Sequence, residues 1–384
     1  MPDAKVNVLH DGERLAPGVL GRLARVEVRE SDADPTVLAL RFNLSQAPDG
    51  SFQPLDDELF VPAAPLALDV EAPGGLPTRL FQGYVTHLRP HFEPIESNCY
   101  LEVLALDAAV LLDAVERVAS YPDATDAEAA EEVFGRYGIA FEGEATAARH
   151  AADERLLVQR ETDWAFVQRL ARRNGYACYL EPDPGDGGGG GSTAHFHRPA
   201  VGDEPQADLS LFRGATALRW VDLQYAAAGP ARSRAAAIDP LAKRLVRSDG
   251  EPALAALGDA LLGPGLEEAW RAAGAGGAEA LLRDPPAGDE ALNAAAAAAS
   301  DRAQLAVEAR GELDPAAYRG LLRARRPVLL RDVGRTFAGA YYVRGVRTTL
   351  EEGRLSQTFV AVRNALGLAG SEEFGQVAEE VEAQ

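Results

Sequence analysis

The sequence predicts an α+β fold that is mainly β. Three observations point to it: strand-like segments fill the first hundred residues, the hydrophobic period changes after residue 108, and strand-like segments resume at residue 325. The chain of 384 residues is long enough for two or three domains, each with its own core. We therefore expect β domains at both ends and a mixed segment between them.

The first domain is expected at residues 1–114. Its segments are rich in Val, Leu and aromatic residues, alternate in part between apolar and polar, and are separated by Pro, Gly, Asp and Asn. The strand-like segments are 22–31, 36–44, 64–72, 79–90 and 98–107. Such strands predict a small antiparallel barrel or sandwich.

The middle region is expected to form an α/β module over residues 115–203. A helix within 123–139 is indicated because Thr125 or Asp123 can cap it and acidic residues fill its first turn. Two strands should follow later in the module, joined by the glycine run at 185–192. That run is interpreted as a hairpin tip, because it lacks the Lys-Ser/Thr of a phosphate-binding loop.

The stretch QRETDWAFVQRLARRNGY at 159–176 predicts a helix over 162–174. Thr162 is the expected N-cap, and Asp163 follows it where the helix dipole favours an anion. Phe166 and Leu170 belong to an apolar stripe with Trp164 at its edge, and Gly175 is expected to end the helix. Three arginines, Arg169, Arg172 and Arg173, are expected to face water. Since each feature has a folding explanation, we expect a structural helix rather than a catalytic one.

A second β domain is expected at 204–370, with an Ala-rich insertion at about 250–304. Gly and Pro recur along the insertion, which predicts several short helices. An acidic tail follows at 371–384 and is expected to be frayed or loosely docked. The strand-like segments of this domain are 207–227, 325–333, 340–351 and 355–366.

Two segments of the chain, 81–107 and 337–364, look alike. Each has Phe-x-Gly, a strand, an acidic turn, a second strand and a terminal Asp or Asn. The equivalent positions are Phe81, Gly83 and Asp107 in the first and Phe337, Gly339 and Asn364 in the second. The similarity predicts an internal duplication, although two ordinary hairpins could match by coincidence.

The histidines do not indicate a metal site. His195 and His197 would share one face of a strand, but no third or fourth ligand is identifiable. His87 and His91 have the spacing of helical zinc ligands, yet Pro90 stands between them in a strand pattern. We therefore predict no metal ligands.

Composition narrows the function further. Cys99 and Cys178 stand far apart without a CxxC spacing, and no motif nominates a nucleophile, so we predict no catalytic and no cofactor-binding residues. The net charge of -21, from 59 acidic and 38 basic residues, argues against specific nucleic-acid binding. No signal peptide is recognisable, and no apolar run approaches the ~18 residues of a membrane span.

The segment at 159–182, QRETDWAFVQRLARRNGYACYLEP, resembles a family signature. The signature is Q-x-x-E-T-D-x-x-F-[LV]-x-R-L-A-x-x-x-G-[YF] of the phage late control D family, the baseplate hub proteins of contractile tails, which are similar to the base of the type VI secretion spike protein. The resemblance extends diffusely over residues 15–366. The insertion at about 250–304 is the part that does not match.

The resemblance implies two tube-like antiparallel β-barrels per chain, with the α/β module between them and the helical insertion in the second barrel. It implies a homotrimer whose six barrels form a pseudo-sixfold ring between a hexameric inner tube protein and a trimeric spike, here a separate polypeptide. Other baseplate components and a cargo or tape-measure protein in the lumen are further implied partners. Assembly would take place in the bacterial cytoplasm, into a virion tail, a tailocin or an extracellular injection particle.

Two alternatives stay open at this point. The chain could be a hub that carries a cell-wall hydrolase activity in the module or the insertion, or a soluble carbohydrate-binding β-protein. The net negative charge would suit a conduit for acidic cargo, because like charges on the wall disfavour adsorption.

Overall fold

The computed structural model describes residues 4–73, 75–153, 156–184, 191–212, 216–239, 241–286, 288–318, 320–370 and 372. The hairpin tip expected in the glycine run falls mostly outside this set. The expected acidic tail also lies outside it, except for Glu372.

The first third of the chain is built from strands that alternate buried and exposed side chains. Val26, Val28, Leu38 and Leu40 face the core, which is why their strands form here. The elements are β1 (Lys5–His10), β2 (Glu13–Arg14), α1 (Pro17–Leu20), β3 (Leu23–Ser31), β4 (Val37–Asn43), β5 (Ser45–Gln46), β6 (Phe52–Gln53), β7 (Pro65–Glu71), β8 (Pro77–His91), a 3-10 turn (Glu96–Asn98), β9 (Tyr100–Asp107) and α2 (Ala109–Leu112).

The middle third mixes helices and short strands around a second core. Its first long helix begins at a capping box, because Thr125 accepts from the Glu128 backbone N–H while the Glu128 carboxylate accepts from the Thr125 N–H. The elements are β10 (Glu116–Tyr121), β11 (Ala124–Thr125), α3 (Asp126–Gly135), β12 (Ala140–Gly143), β13 (Arg149–His150), β14 (Leu157–Thr162), α4 (Asp163–Asn174), β15 (Ala177–Pro182) and β16 (Ser192–His197).

The last part of the chain returns to strands, interrupted by two long helices. Its elements are β17 (Gln206–Leu209), β18 (Leu218–Tyr225), β19 (Arg232–Asp239), β20 (Arg244–Ser248), β21 (Ala260–Leu261), α5 (Leu262–Ala272), β22 (Glu279–Leu281), α6 (Asp289–Gln304), β23 (Val307–Leu313), β24 (Pro327–Leu330), α7 (Gly334–Phe337), β25 (Gly339–Glu351), β26 (Arg354–Arg363) and β27 (Ala365–Leu366).

The insertion differs from the several short helices expected there. Helix α6 runs for 16 residues without a break, because no Gly or Pro falls inside its alanine run. Strand β22 of the insertion pairs with β19, and the hairpin of β19 and β20 packs on α6 through Ala235, Val246, Leu292 and Ala296. The inserted unit therefore has a small core of its own.

One large sheet connects the two ends of the chain. Thirteen strands belong to it, and its main path runs β18-β23-β26-β25-β3-β4-β9-β8-β7-β1-β2, with β17 and β24 attached beside β25. The fold is thus mainly β, as the sequence predicts. The path ends at β18 and at β2, and no barrel closes among the described residues.

Candidate functional site

The two halves of the large sheet repeat one strand order. Neighbours in the first half run β7-β8-β9-β4-β3, and those in the second run β24-β25-β26-β23-β18. Corresponding strands also occur in the same order along the chain. Within each half, all neighbouring strands in this order are antiparallel. The insertion lies between β18 and β23, where the first half has only the short link between β3 and β4.

Two irregularities of register fall at matching places in the two halves, whereas a third, between Leu68 and Asp69 of β7, has no counterpart in the β24–β25 pair. The long hairpin strands β8 and β25 each carry a bulge, between Val85 and His87 in one and between Val343 and Gly345 in the other. Strands β3 and β18, the last in each of these two strand orders, each carry a bulge next to their start, immediately before Arg25 in β3 and Trp220 in β18. Bulges re-aim side chains and set the local register, so their agreement aligns the two halves residue by residue.

The paired glycines of the two hairpins both lie at a close approach. A Cβ on Gly83 would be 2.0 Å from the carbonyl oxygen of Leu106, and one on Gly339, at φ +128°, would be 2.7 Å from the guanidinium of Arg363. Only glycine fits such contacts without displacing the neighbour. Phe81 is a fully buried strand residue, whereas Phe337 ends the short helix α7.

The paired polar residues at the hairpin ends bind neighbouring backbone. Asp107 accepts hydrogen bonds from the N–H groups of Thr36 at 2.6 Å and Ala109 at 3.0 Å. Asn364 accepts one from the N–H of Leu257 at 2.8 Å. Burial, the largest influence, raises the pKa of Asp107 to about 6 although the two N–H donors oppose this.

Strands β3 and β25 join the two halves through seven antiparallel residue pairs. On the face away from the core, Glu27 of β3 accepts hydrogen bonds from Arg25 and Arg29, and Arg347 of β25 lies 3.7 Å from it. Burial opposes ionisation of Glu27, but the hydrogen bond and charge of Arg29, with the charge of Arg347, hold its pKa below the usual value.

Two of the strand edges that lack a neighbouring strand among the described residues, besides those of β2 and β17, lie on β18 and β8. Strand β18 pairs on one side only, with β23. Strand β8 pairs with β7 as far as Tyr84, and from His87 onward it pairs with β9 alone. In the second half, the part of β25 after its bulge, from Gly345 to Glu351, pairs on this side with β3. Strand β3 in the first half is the counterpart of β18. Unpaired edges of this kind are templates for a further strand.

The signature helix α4 is held by its ends and its apolar face. Thr162 accepts from the N–H of Ala165 at 3.2 Å, and Gly175 takes the left-handed conformation at φ +71°. A Cβ on Gly175 would be 3.0 Å from the Cβ of Ala298, so the helix end lies against α6. The buried side chains of its apolar face include Trp164, Phe166 and Leu170.

Asp163 does more than complement the helix dipole. It is fully buried, and its two oxygens accept four hydrogen bonds of 2.7–3.2 Å from Arg117, Arg136, Tyr137 and Gln159. These donors come from β10, from the residues after α3 and from β14. The side chain thus ties α4 to the rest of the module.

One of the three arginines expected to face water does not. Arg173 donates to Asp126 through Nε at 2.5 Å and through Nη2, and Asn174 donates to the same carboxylate. Burial opposes ionisation of Asp126, yet its hydrogen bonds from His150 and Arg173 hold its pKa below the usual value. These contacts join α4 to the start of α3.

The histidines and cysteines of the described part of the chain are not grouped into a metal-binding cluster. His195 lies 3.6 Å from Glu142 and 3.7 Å from Glu181, but no group of three His, Cys, Asp or Glu residues that could hold a metal occurs among the described residues. His87 belongs to a strand, β8. Cys178 is a buried free thiol whose pKa is raised by burial.

Across residues that the structure describes, no helix is long and apolar enough to span a bilayer. The candidate site therefore consists of the open edges of β18 and β8 and the charged face around Glu27 and Arg347 between them. Sequence reasoning missed both edges, because nothing in a strand's own pattern says which of its sides is paired.

Residues 38–238, more than half of the chain, match the family model described as phage tail baseplate hub (GPD). A search of curated protein sequences finds no match.

Solved structures share the fold at low sequence identity. A tail protein from Neisseria meningitidis MC58 is similar with a TM-score of 0.61 and 12% identity, covering 94% of this chain and 97% of that one. The 43 kDa tail protein of prophage MuSo2 from Shewanella oneidensis gives 0.58 and 12%, covering 94% and 98%. The E. coli c3393 protein, a component of the type VI secretion system, gives 0.51 and 13%, covering 94% and 76%.

The resemblance read from residues 159–182 is therefore confirmed by a match that covers strands of both halves and the signature helix. The chain belongs to the phage tail baseplate hub (GPD) family.

Proposed function

We propose that three copies of this baseplate hub form a pseudo-sixfold ring that adapts the hexameric inner tube to a separate trimeric spike. The observation that carries the proposal is the pair of unpaired edges, on β18 and on β8. A threefold object can match a sixfold ring when each chain presents two near-equivalent surfaces. The repeated strand order supplies two such surfaces in one chain.

The two sheet halves would be the tube-like barrels of residues 1–114 and 204–370. In this view β3 and β25 make the junction between barrels inside a chain, and β18 of one copy pairs with β8 of the next between chains. The ladder would cover backbone donors and acceptors that otherwise invite aggregation. Pro90 in β8 cannot donate to such a ladder, but proline is tolerated on edge strands.

The β3–β25 junction supplies the register between copies. With the bulges aligned, His91 of β8 would lie opposite Asp222 of β18 in the next copy. Arg89 would then lie diagonally across from Asp222, as Arg347 lies from Glu27 within the chain. A cross-strand pair of opposite charges favours this register over its neighbours.

A charge exchange across the predicted junction tests the ring. Arg89→Asp and Asp222→Arg should each weaken trimer formation, and the double variant should recover it, because the ion pair is restored with reversed sign. Light scattering measures the molar mass: a particle of three times 40.7 kDa should be lost in each single variant and return in the double variant. Both side chains are exposed in the single chain, so we expect the fold to be retained, although Arg89 lies 3.5 Å from Glu102 and Asp222 is paired with Arg310 across the strands. Circular dichroism of the variants checks this.

A matched control is Arg247→Asp. Arg247 is an exposed arginine of β20, a strand that lies outside the large sheet. It should leave the trimer intact. Single variants that assemble like the natural chain would contradict the proposed junction.

We further propose that the role is mechanical, without enzymatic activity. The signature residues that first suggest chemistry are occupied in buried structural contacts, as the four donors around Asp163 illustrate. Peptidoglycan turnover by the purified chain would overturn this and favour a hub that carries a hydrolase. Assembly in the bacterial cytoplasm, with tube, spike, other baseplate components and a cargo or tape-measure protein in the lumen, completes the proposal.

A further inference from the structure

The two halves differ in charge at one matched row of residues. The row crosses four strands on the sheet face away from the core, three residues past the bulge of the long hairpin strand. In the first half it reads Arg25, Arg41, Glu102 and Arg89; in the second it reads Trp220, Glu312, Thr358 and Arg347. The first row carries three arginines and one carboxylate, the second one of each.

The arginines of the first row are under-neutralised. Arg25 and Arg41 lie directly opposite each other on β3 and β4, which is an unfavourable pairing of like charges. Arg25 shares Glu27 with Arg29, and Glu102 is 3.5 Å from Arg89. Nε of Arg41 is buried without a hydrogen-bond partner among the described residues.

Arg41 is nonetheless held in place. Its guanidinium carbon lies 4.2 Å from the centre of the Tyr100 ring, so the planar group is stacked on an aromatic face. A stacked guanidinium presents its remaining donors in a fixed fork that suits a carboxylate.

The matched row of the second half is already satisfied. Glu312 accepts hydrogen bonds from Arg219 at 2.7 Å and from Nε1 of Trp220 at 3.1 Å. A negative charge brought to this place would meet a carboxylate. Because the two rows differ in charge, only the row of the first half can accept a negatively charged group, so each chain has one such row.

A cavity of about 440 Å³ lies over the first row. Its lining combines charged side chains with aliphatic ones: Arg25, Arg29, Arg41, Arg89, Glu27, Glu102, Val37, Ala39 and Leu104. Such a lining suits a carboxylate carried next to an apolar side chain. The chain's net charge of -21 thus does not describe this face, where four arginines and two carboxylates line the cavity.

We propose that this pocket binds an acidic peptide segment, with a Glu or Asp carboxylate on Arg41 and a neighbouring apolar side chain on Val37, Ala39 and Leu104. Glu27 and Glu102 in the lining disfavour the closely spaced phosphates of a nucleic acid. Two points rest on the proposed function: the contact of the lining residue Arg89 with Asp222 of the next copy, and the location in the ring. Three such pockets would face the lumen at alternate sectors, and would meet a cargo or threefold partner.

The test uses the full chain and a fluorescein-labelled peptide of alternating Glu and Val, eight residues long, in anisotropy titrations at low salt. Arg41→Gln should weaken binding about tenfold, since a charge-assisted hydrogen bond is lost. Arg310→Gln on the second half is the matched control and should leave binding unchanged. Circular dichroism of both variants checks that the fold is retained.

Three results would overturn the proposal: equal affinity of Arg41→Gln and the natural chain, equal losses for Arg41→Gln and Arg310→Gln, or tighter binding of an oligothymidylate than of the peptide. Repeating the titration on Asp222→Arg separates the two proposals. Binding that persists there without a trimer supports the pocket independently of the ring.

Discussion

Arg347 of β25 lies 3.7 Å from Glu27 of β3, across the junction where the two ends of the chain share one sheet. The residues are 320 positions apart in sequence, yet their strands form seven consecutive pairs. Because the halves repeat strand order and bulges, the same junction is available between copies. The proposed ring rests on this relationship.

Asp107 should make stability depend on pH. Its pKa of about 6 in the folded chain exceeds its ordinary value of 3.8, so the folded state holds the proton more tightly than the unfolded state. The contribution of Asp107 to stability is therefore fully present below about pH 4 and is lost as pH rises through about 6, by about 3 kcal/mol.

Asp107→Asn removes this titration. Urea unfolding of both proteins at pH 4.5 and 7.5 should show the variant gaining on the natural chain at the higher pH, although Asn leaves one of the two N–H donors without an acceptor. A stability difference that is the same at both pH values would show that Asp107 does not titrate in this window.

Gly83→Ala should destabilise the first half strongly. The new Cβ would be 2.0 Å from the Leu106 carbonyl oxygen, so the β8–β9 ladder must open locally. We expect a loss of about 2–4 kcal/mol in the free energy of unfolding, measured by denaturant titration.

Gly135→Ala is the matched control for that substitution. Gly135 ends helix α3, and nothing lies within 4 Å of a Cβ built there. This variant should gain about 0.5–1 kcal/mol, because alanine loses less conformational freedom in a helix. Equal effects at the two glycines would refute the close approach.

Asp163→Asn should weaken the module without removing any activity. The substitution leaves the guanidinium groups of Arg117 and Arg136 without their shared buried carboxylate. Since these arginines keep partial contact with water, we expect a loss of about 2–4 kcal/mol. Thermal unfolding measures it, and Arg172→Ala, an exposed position of the same helix, should change little. An undiminished melting temperature in Asp163→Asn would contradict the network.

Local features of the fold were accessible from sequence. The alternation in β3, β4 and β9 and the Thr162 and Gly175 signals of α4 depend on neighbouring residues, so the pattern shows them directly. The sequence does not predict helix α6 as one uninterrupted helix, because the Gly and Pro residues around it indicate short helices, whereas the alanine run inside it is unbroken.

Long-range features were not accessible. Asp163 is buried because β10 and β14 pair and bring Arg117 and Gln159 to one point, which no local pattern encodes. Arg173 of α4 meets Asp126 at the start of α3, a contact between two helices that no local pattern encodes either. The similarity of the two hairpins hinted at the duplication, but the open edges emerged only from the pairing of every strand.

An axial electron-microscopy view of the purified protein tests the ring most directly. We predict a closed ring of six similar lobes around a central opening, formed by particles of three chains. Single chains, or three-chain particles with three lobes and no continuous ring, would contradict the pairing of β18 with β8.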